Sequence, residues 1–206
     1  RQVLPMTQKI ALFWPGDERP KPNQLAQPNV EETTRQLERA LAKLGRTSYR
    51  IEGFLSKPHH AIEKLGPIDD PLLGVCVHWF YGPHTTDGVV GKDNPLLLAS
   101  NFSGRWPGLV GLLNTGACLE SVGRAHSRIW SDAPDLSADP RFMERLDQWC
   151  KSGKIEYDTG DLHYDPTPSA NARASAARVA ASFRARRALI MMLGDTSMGM
   201  INGYFG

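Results

Sequence analysis

Apolar and polar residues fall into blocks along this chain, and the blocks follow two periods. Lys9-Ile-Ala-Leu-Phe13, Leu72 to His78 and Leu96 to Ser100 are short runs of nearly continuous apolar character. Continuous runs of this length belong to parallel strands covered on both faces. Ser48 to Phe54 and Ser127 to Trp130 read as two further strands. Between the runs the period changes. Val30, Thr34, Leu37, Leu41 and Leu44 recur at spacings of four and three, and Gly45 ends the stripe. Glu31 and Glu32 are expected in the first turn of that helix, where its dipole favours negative charge. Asp17 to Asn29 holds three prolines and reads as a loop.

Shorter helices follow the same logic. His60 to Lys64 is closed by Gly66-Pro67. Leu109, Leu112, Leu113, Ala117 and Glu120 mark a helix from Pro107 to Val122, with proline near its first turn. Phe142 to Lys151 is a helix with Gly153 just past its end. Lys151 to Asn171 is polar, carries Pro166 and Pro168, and reads as a connector. An alanine-rich helix from Ala172 to Arg187 presents Ala176, Val179, Ala180 and Phe183 on one stripe. Ala188 to Leu193 reads as a last strand, running into a glycine-rich loop.

Strand and helix thus alternate, which predicts an α/β fold. We expect an open, mainly parallel sheet with helices on both faces, a Rossmann- or flavodoxin-like three-layer arrangement. Residues 1–170 form an amino-terminal α/β domain that includes the connector 151–170. Residues 171–206 supply a linking helix and the first strand of a second α/β domain. The chain begins at Arg1 and stops at Gly206, after a strand with no helix to cover it. The expectation is therefore an amino-terminal portion of a longer protein.

Composition narrows the class. The 206 residues are 41% apolar and 22% charged, which excludes wholesale disorder. Twenty-four Lys and Arg against 22 Asp and Glu leave a net charge of +2, without the basic excess of a dedicated nucleic-acid binder. No apolar run approaches the roughly 18 residues of a membrane span. The opening segment RQVLPMTQKI has no apolar signal-peptide core. Cys76, Cys118 and Cys150 are an odd number without a CxxC pair. Free thiols in a reducing compartment, the cytoplasm, are the simplest reading.

Candidate chemistry gathers where strands end, since ligands of open α/β sheets lie beyond the carboxyl ends of the strands. His78-Trp-Phe-Tyr-Gly82 follows the strongest strand. Trp79, with Tyr81 close behind, can stack on the apolar face of a sugar or base, or the aromatics can cap the core. Arg19 follows the first strand in Pro15-Gly-Asp-Glu-Arg-Pro20. Its guanidinium is a fork of donors for hydroxyls or carboxylates, or the partner of Asp17 or Glu18. Asn101 opens the loop Asn101-Phe-Ser-Gly-Arg-Trp-Pro-Gly108, where a helix start can hold an anion or hydroxyl, or which is a plain connection.

Other motifs carry less. Asp161-Leu-His-Tyr-Asp165 spaces three metal-ligand types at every second residue, but its Gly and Pro flanks read as loop. Gly194-Asp-Thr-Ser-Met-Gly199 misses the nucleophile-elbow spacing by one residue. Gly88-Val-Val-Gly-Lys92 lacks P-loop spacing. Arg173, Arg178, Arg184, Arg186 and Arg187 make the alanine-rich helix basic, as a solvated or subunit-facing helix. His59-His60 begins the short helix.

Four segments taken together resemble one family. Ile10-Ala-Leu-Phe-Trp-Pro15 with Asp17-Glu-Arg19 is similar to the start of L-fucose isomerases, a family allied to the L-arabinose isomerases. His78-Trp-Phe-Tyr-Gly82 resembles that family's strand-end Trp followed by Tyr-Gly. Asn101 to Leu109 resembles its Phe-Asn-Gly, Pro-Gly, then helix pattern. Leu193-Gly-Asp-Thr-Ser-Met-Gly-Met200 resembles the step that opens its second domain. The matches keep their order and span nearly the whole chain.

The resemblance implies a metal-dependent aldose–ketose isomerase, usually with manganese, assembled as trimers or hexamers. It implies that the metal ligands come from later domains, so that this chain alone binds no metal and is inert. It implies that Trp79 stacks against a neighbouring subunit's monosaccharide and that Arg19 contacts its hydroxyls, with Tyr81 and Asn101 as further substrate-contacting positions. The region around Phe80 and His84 and the connector at 151–171 depart from the pattern. Two other classes stay open: a stand-alone α/β sugar-binding module, and an assembly domain without catalysis.

Overall fold

The structure, a computed structural model, describes residues 9–101, 106–160, 167–187 and 189. Five parallel strands form one sheet in the order β2-β1-β3-β4-β5. These are β1 (Lys9–Pro15), β2 (Thr47–Leu55), β3 (Leu72–Cys76), β4 (Leu96–Asn101) and β5 (Ser127–Ser131). The α helices are α1 (Pro20–Lys43), α2 (Pro58–Leu65), α3 (Pro83–Val89), α4 (Gly108–Ser121), α5 (Pro140–Ser152) and α6 (Ala170–Ala185). The α/β architecture read from the hydrophobic blocks is therefore the one observed. The described residues through Ile155 form one compact unit, and those from Glu156 onward, with α6, form another.

Alternation along the strands sends side chains into two cores. Ile10, Leu12, Leu73, Val75, Leu97, Ala99 and Ile129 point to one face, where α1 and α5 cover them with Val30, Leu37, Leu41, Phe142, Leu146 and Trp149. Ala11, Phe13, Leu72, Cys76, Leu96 and Leu98 point to the other, beneath Ala61, Leu65, Val89, Leu112 and Leu119. All five residues of β3 are buried, as a central strand covered on both faces requires. Edge strand β2 carries a register shift opposite Leu12 and Trp14, at which Gly53 adopts φ +73°. That conformation suits glycine. The shift delivers Phe54 to the carboxyl edge opposite Trp14.

Two expectations are corrected. The segment Asp17–Asn29 is not a loop throughout, because α1 begins at Pro20. Pro20 and Pro22 sit in the first turn, where a missing N–H costs nothing. Only Pro28 lies inside the helix. Glu31 and Glu32 therefore stand in mid-helix, and Glu32 meets Arg35 one turn on instead of a helix terminus. Helix α3 was not legible in Pro-His-Thr-Thr-Asp-Gly-Val, whose threonines and glycine are poor helix formers. It forms because Gly88 lets it approach α2 closely: a Cβ there would lie 2.3 Å from the Ala61 carbonyl oxygen.

The remaining ends follow the sequence signals. Asp139 caps α5 by accepting from the Arg141 and Phe142 N–H groups, and Gly153 closes it at φ +74°. Ser169 caps α6 by accepting from Ala172 N–H. The Asp161–Asp165 cluster, the strand expected at 188–193 apart from Leu189, and the loop at 194–199 lie outside the described residues.

Candidate functional site

The strand order creates one topological switch point. The chain leaves β1 toward β2 on one side and continues from β3 toward β4 on the other, which opens a crevice between the ends of β1 and β3. Gly16 to Arg19 enter it from β1, and Val77 to Tyr81 from β3. Gly16 is pressed against β2: its N–H bonds to Leu55 O at 2.9 Å, and a Cβ would sit 2.9 Å from that of Phe54. This close fit turns the chain sharply into Asp17.

Asp17 is buried, and its carboxylate is fully engaged by Arg19. It accepts the Arg19 backbone N–H at 2.8 Å, Nε at 2.9 Å and Nη2 at 2.7 Å. Burial pushes the carboxyl up, but the hydrogen bonds and charge of Arg19 outweigh it and hold it below its ordinary range. The same bond raises the Arg19 guanidinium above its ordinary value. The side chain of Arg19 stays 66% exposed. Two of its five N–H bonds are spent on Asp17, and among the described residues the other three have no partner.

Asn23, in the first turn of α1, ties the two loops together. Its Oδ1 accepts from Asp17 N–H and its Nδ2 donates to Asp17 O, each at 2.8 Å. The same oxygen lies 2.8 Å from His78 Nε2. An amide oxygen accepts, so Nε2 carries the His78 proton. Burial lowers His78 to about 4 against the opposing pull of Asp17, which makes the ring neutral at pH 7. Its Nδ1 is then a buried acceptor without a partner among the described residues. His84 Nδ1 donates to Gly16 O at 2.7 Å and anchors α3 to the end of β1; burial lowers its pKa too.

An aromatic group surrounds this network. Trp79 meets Tyr81 edge-on at 6.0 Å, and Tyr81 lies 5.2 Å from the His84 ring. Phe54 stands between Trp14 and His78, at 5.4 and 5.5 Å. Tyr81 is close enough to Arg19 to add a little to the upward shift of its guanidinium. Trp79 is half-buried, and its indole N–H is enclosed without an acceptor among the described residues.

Arg19, Trp79 and Tyr81, singled out from the sequence, thus come together at the crevice. Asn101 does not join them. It ends β4, donates from Nδ2 to Ala133 O at 3.0 Å, and lines a separate cavity of about 250 Å³ with Asn29, Glu32, Thr33, Gln36 and Trp106. Residues 102–105 of its loop lie outside the described residues. Sequence reading missed Asn23, His78 and His84. His78 stood directly after the strongest strand and was the one available signal. Asn23 was hidden inside a segment read as loop.

Among the described residues no three His, Cys, Asp or Glu side chains gather to hold a metal ion, so the manganese that the resemblance implies finds no ligand set there. Among the same residues no helix is long and apolar enough to cross a membrane. Cys76, Cys118 and Cys150 are buried, and none of them is in a disulfide. No protein-family model matches this chain, and no curated protein matches it either.

Proposed function

We propose that this chain is the amino-terminal part of a metal-dependent aldose–ketose isomerase of the L-fucose isomerase type, acting in the cytoplasm as a homo-oligomer. In this reading the β1/β3 crevice presents Arg19, Trp79 and Tyr81 to a monosaccharide held mainly by a neighbouring subunit. One observation carries the reading: residues from two distant segments of the resemblance converge at the switch point of the sheet. The order and spacing of the four similar segments add to it.

The chemistry of the crevice suits a sugar. Arg19 is held in one orientation by a buried carboxylate, so little freedom is lost when its remaining N–H groups meet hydroxyls. Trp79 offers a flat surface to the apolar face of a pyranose, and Tyr81 buttresses it. Manganese, when bound, would act as a Lewis acid on the carbonyl and hydroxyl oxygens. The described residues orient the sugar and leave that chemistry to ligands outside them.

The test is turnover by the complete protein encoded with this chain, supplied with manganese and a panel of aldopentoses and deoxyhexoses. We expect aldose–ketose interconversion, with Trp79→Ala lowering kcat/KM at least tenfold and Arg19→Lys by a similar factor through loss of the fork. The 206-residue chain alone is expected to be inert. Turnover unchanged in Trp79→Ala would overturn the crevice assignment. Sugar binding without any turnover by the complete protein would replace the isomerase with a binding module.

A further inference from the structure

We propose that the cavity between α1 and the carboxyl ends of β3 and β4 is a binding site for one neutral polyhydroxyl molecule, a monosaccharide or a polyol of similar size. It is separate from the crevice that holds Arg19 and Trp79, and it stands whether or not that crevice takes a sugar.

Size comes first. A cavity of about 250 Å³ holds roughly eight waters by liquid volume. That is room for one sugar ring and too little for a nucleotide. Val77 and Pro134 complete its apolar lining, and Trp106, packed on the core behind it, supplies an aromatic wall. A half-buried indole of this kind covers the C–H face of a pyranose while leaving its N–H for a hydroxyl.

The polar groups are unevenly used. Gln36 is fully spent: it donates to Glu32 and to Pro134 O, and it accepts from Leu136 N–H. It is a fixed wall. Thr33 is different. It is only 6% exposed, it lines the cavity, and among the described residues no hydrogen bond holds its hydroxyl. Unlike the enclosed hydroxyls of Thr85, Thr86 and Thr115, its oxygen stays within reach of water, so a ligand hydroxyl can take that water's place. Among the described residues nothing bonds the Asn29 amide, and Asn101, having spent Nδ2 on Ala133 O, keeps Oδ1. Donor, acceptor and hydroxyl therefore face one small space beside an indole.

Charge selects the class. Among the described residues Glu32 is the only ionisable side chain lining the cavity, and the hydrogen bond from Arg35 holds its carboxyl below the ordinary range. Arg35 lies at 2.9 Å and Arg39 at 3.8 Å from its oxygens. The carboxylate is already compensated, which gives a cation little to gain. Among the described residues no cationic side chain lines the space to attract an anion. Neutral hydroxyls remain.

The five tryptophans make the test direct. Their indole N–H signals in a ¹⁵N correlation spectrum are assigned by single Trp→Phe changes, and the chain is titrated with L-fucose, L-arabinose, ribitol and the charged acid D-gluconate. We expect the neutral compounds to shift the Trp106 signal saturably and gluconate to leave it still. Thr33→Val, nearly isosteric, and Asn29→Ala, at an exposed position, should each weaken the response roughly fivefold or more. If Thr33→Val loses spectral dispersion, Asn29→Ala decides.

A Trp106 signal unmoved by every neutral compound, or moved equally in both variants, would overturn the inference. So would an equal response to gluconate. Movement of Trp79 alone would support the crevice and overturn the cavity. Movement of Trp106 alone would support the cavity, while the crevice would still answer to the turnover assay.

Discussion

His78 is held neutral in the folded chain by burial, and this makes it a source of acid sensitivity. Unfolded, the ring takes up a proton below about 6.5; folded, it does so only near 4. Between those values the unfolded chain binds more protons, so stability falls as the pH falls. The His78 contribution is complete above pH 6.5 and is lost on the way to pH 4, a loss of roughly 3 kcal/mol. His84 and His126, both lowered by burial, act in the same direction. Urea midpoints measured from pH 7 to 4 should drop steeply, and His78→Gln, which keeps a donor for Asn23, should flatten the drop. An unchanged slope in that variant would mean that His78 does not titrate as its surroundings dictate. At this scale the sequence was half legible. Arg19, Trp79 and Tyr81 follow from the strand-end rule, because chain order alone places them. Asn23 does not, because its bridge depends on where α1 starts.

Helix placement rests on missing side chains as much as on apolar ones. Gly108 starts α4 directly beneath the end of β3: a Cβ there would lie 2.5 Å from Cys76 O and 2.6 Å from Val77 O. Both neighbours are backbone and cannot swing aside. Gly111, one turn on, lies under the ring of Phe80, whose nearest atom would be 2.6 Å from a Cβ. Gly108→Ala should therefore cost about 2–3 kcal/mol, as overpacking does, and a urea unfolding curve measures it directly. A cost below about 0.5 kcal/mol would show that α4 can slide. This also explains why some elements were legible and others not. The stripe from Val30 to Leu41 announces α1 by its period, yet its first ten residues were masked by prolines that the first turn tolerates. Helix α3 has no stripe to read, since its place is set by the close approach of Gly88 to α2.

Across the whole molecule, both faces of the sheet are closed, and the thiols lie inside. Cys76 is on the central strand, Cys118 on α4 and Cys150 on α5. Burial raises the Cys76 thiol well above its ordinary value and the Cys150 thiol to about 11, so neither is a thiolate at neutral pH. The native protein should release almost no thionitrobenzoate from Ellman's reagent, and three equivalents should appear in guanidinium chloride. Rapid reaction of a thiol in the native state would mean that a helix lifts from the sheet. The three-layer fold was legible because continuous apolar runs alternating with helical stripes have few other solutions.

The position of β1 has a consequence for how the chain is made. Among the described strands β1 is made first, and it ends inside the sheet, between β2 and β3. It can pair with β2 once residue 55 has emerged, but its other edge waits for Leu72 to Gly74. None of the described strands is matched by a hairpin neighbour, so each of their pairings spans a helix and must close a long loop first. The nascent chain therefore carries an open edge on β1, most of which is buried in the finished fold, until β3 arrives, and the order of synthesis, not the hydrophobic pattern alone, decides how long that edge is exposed.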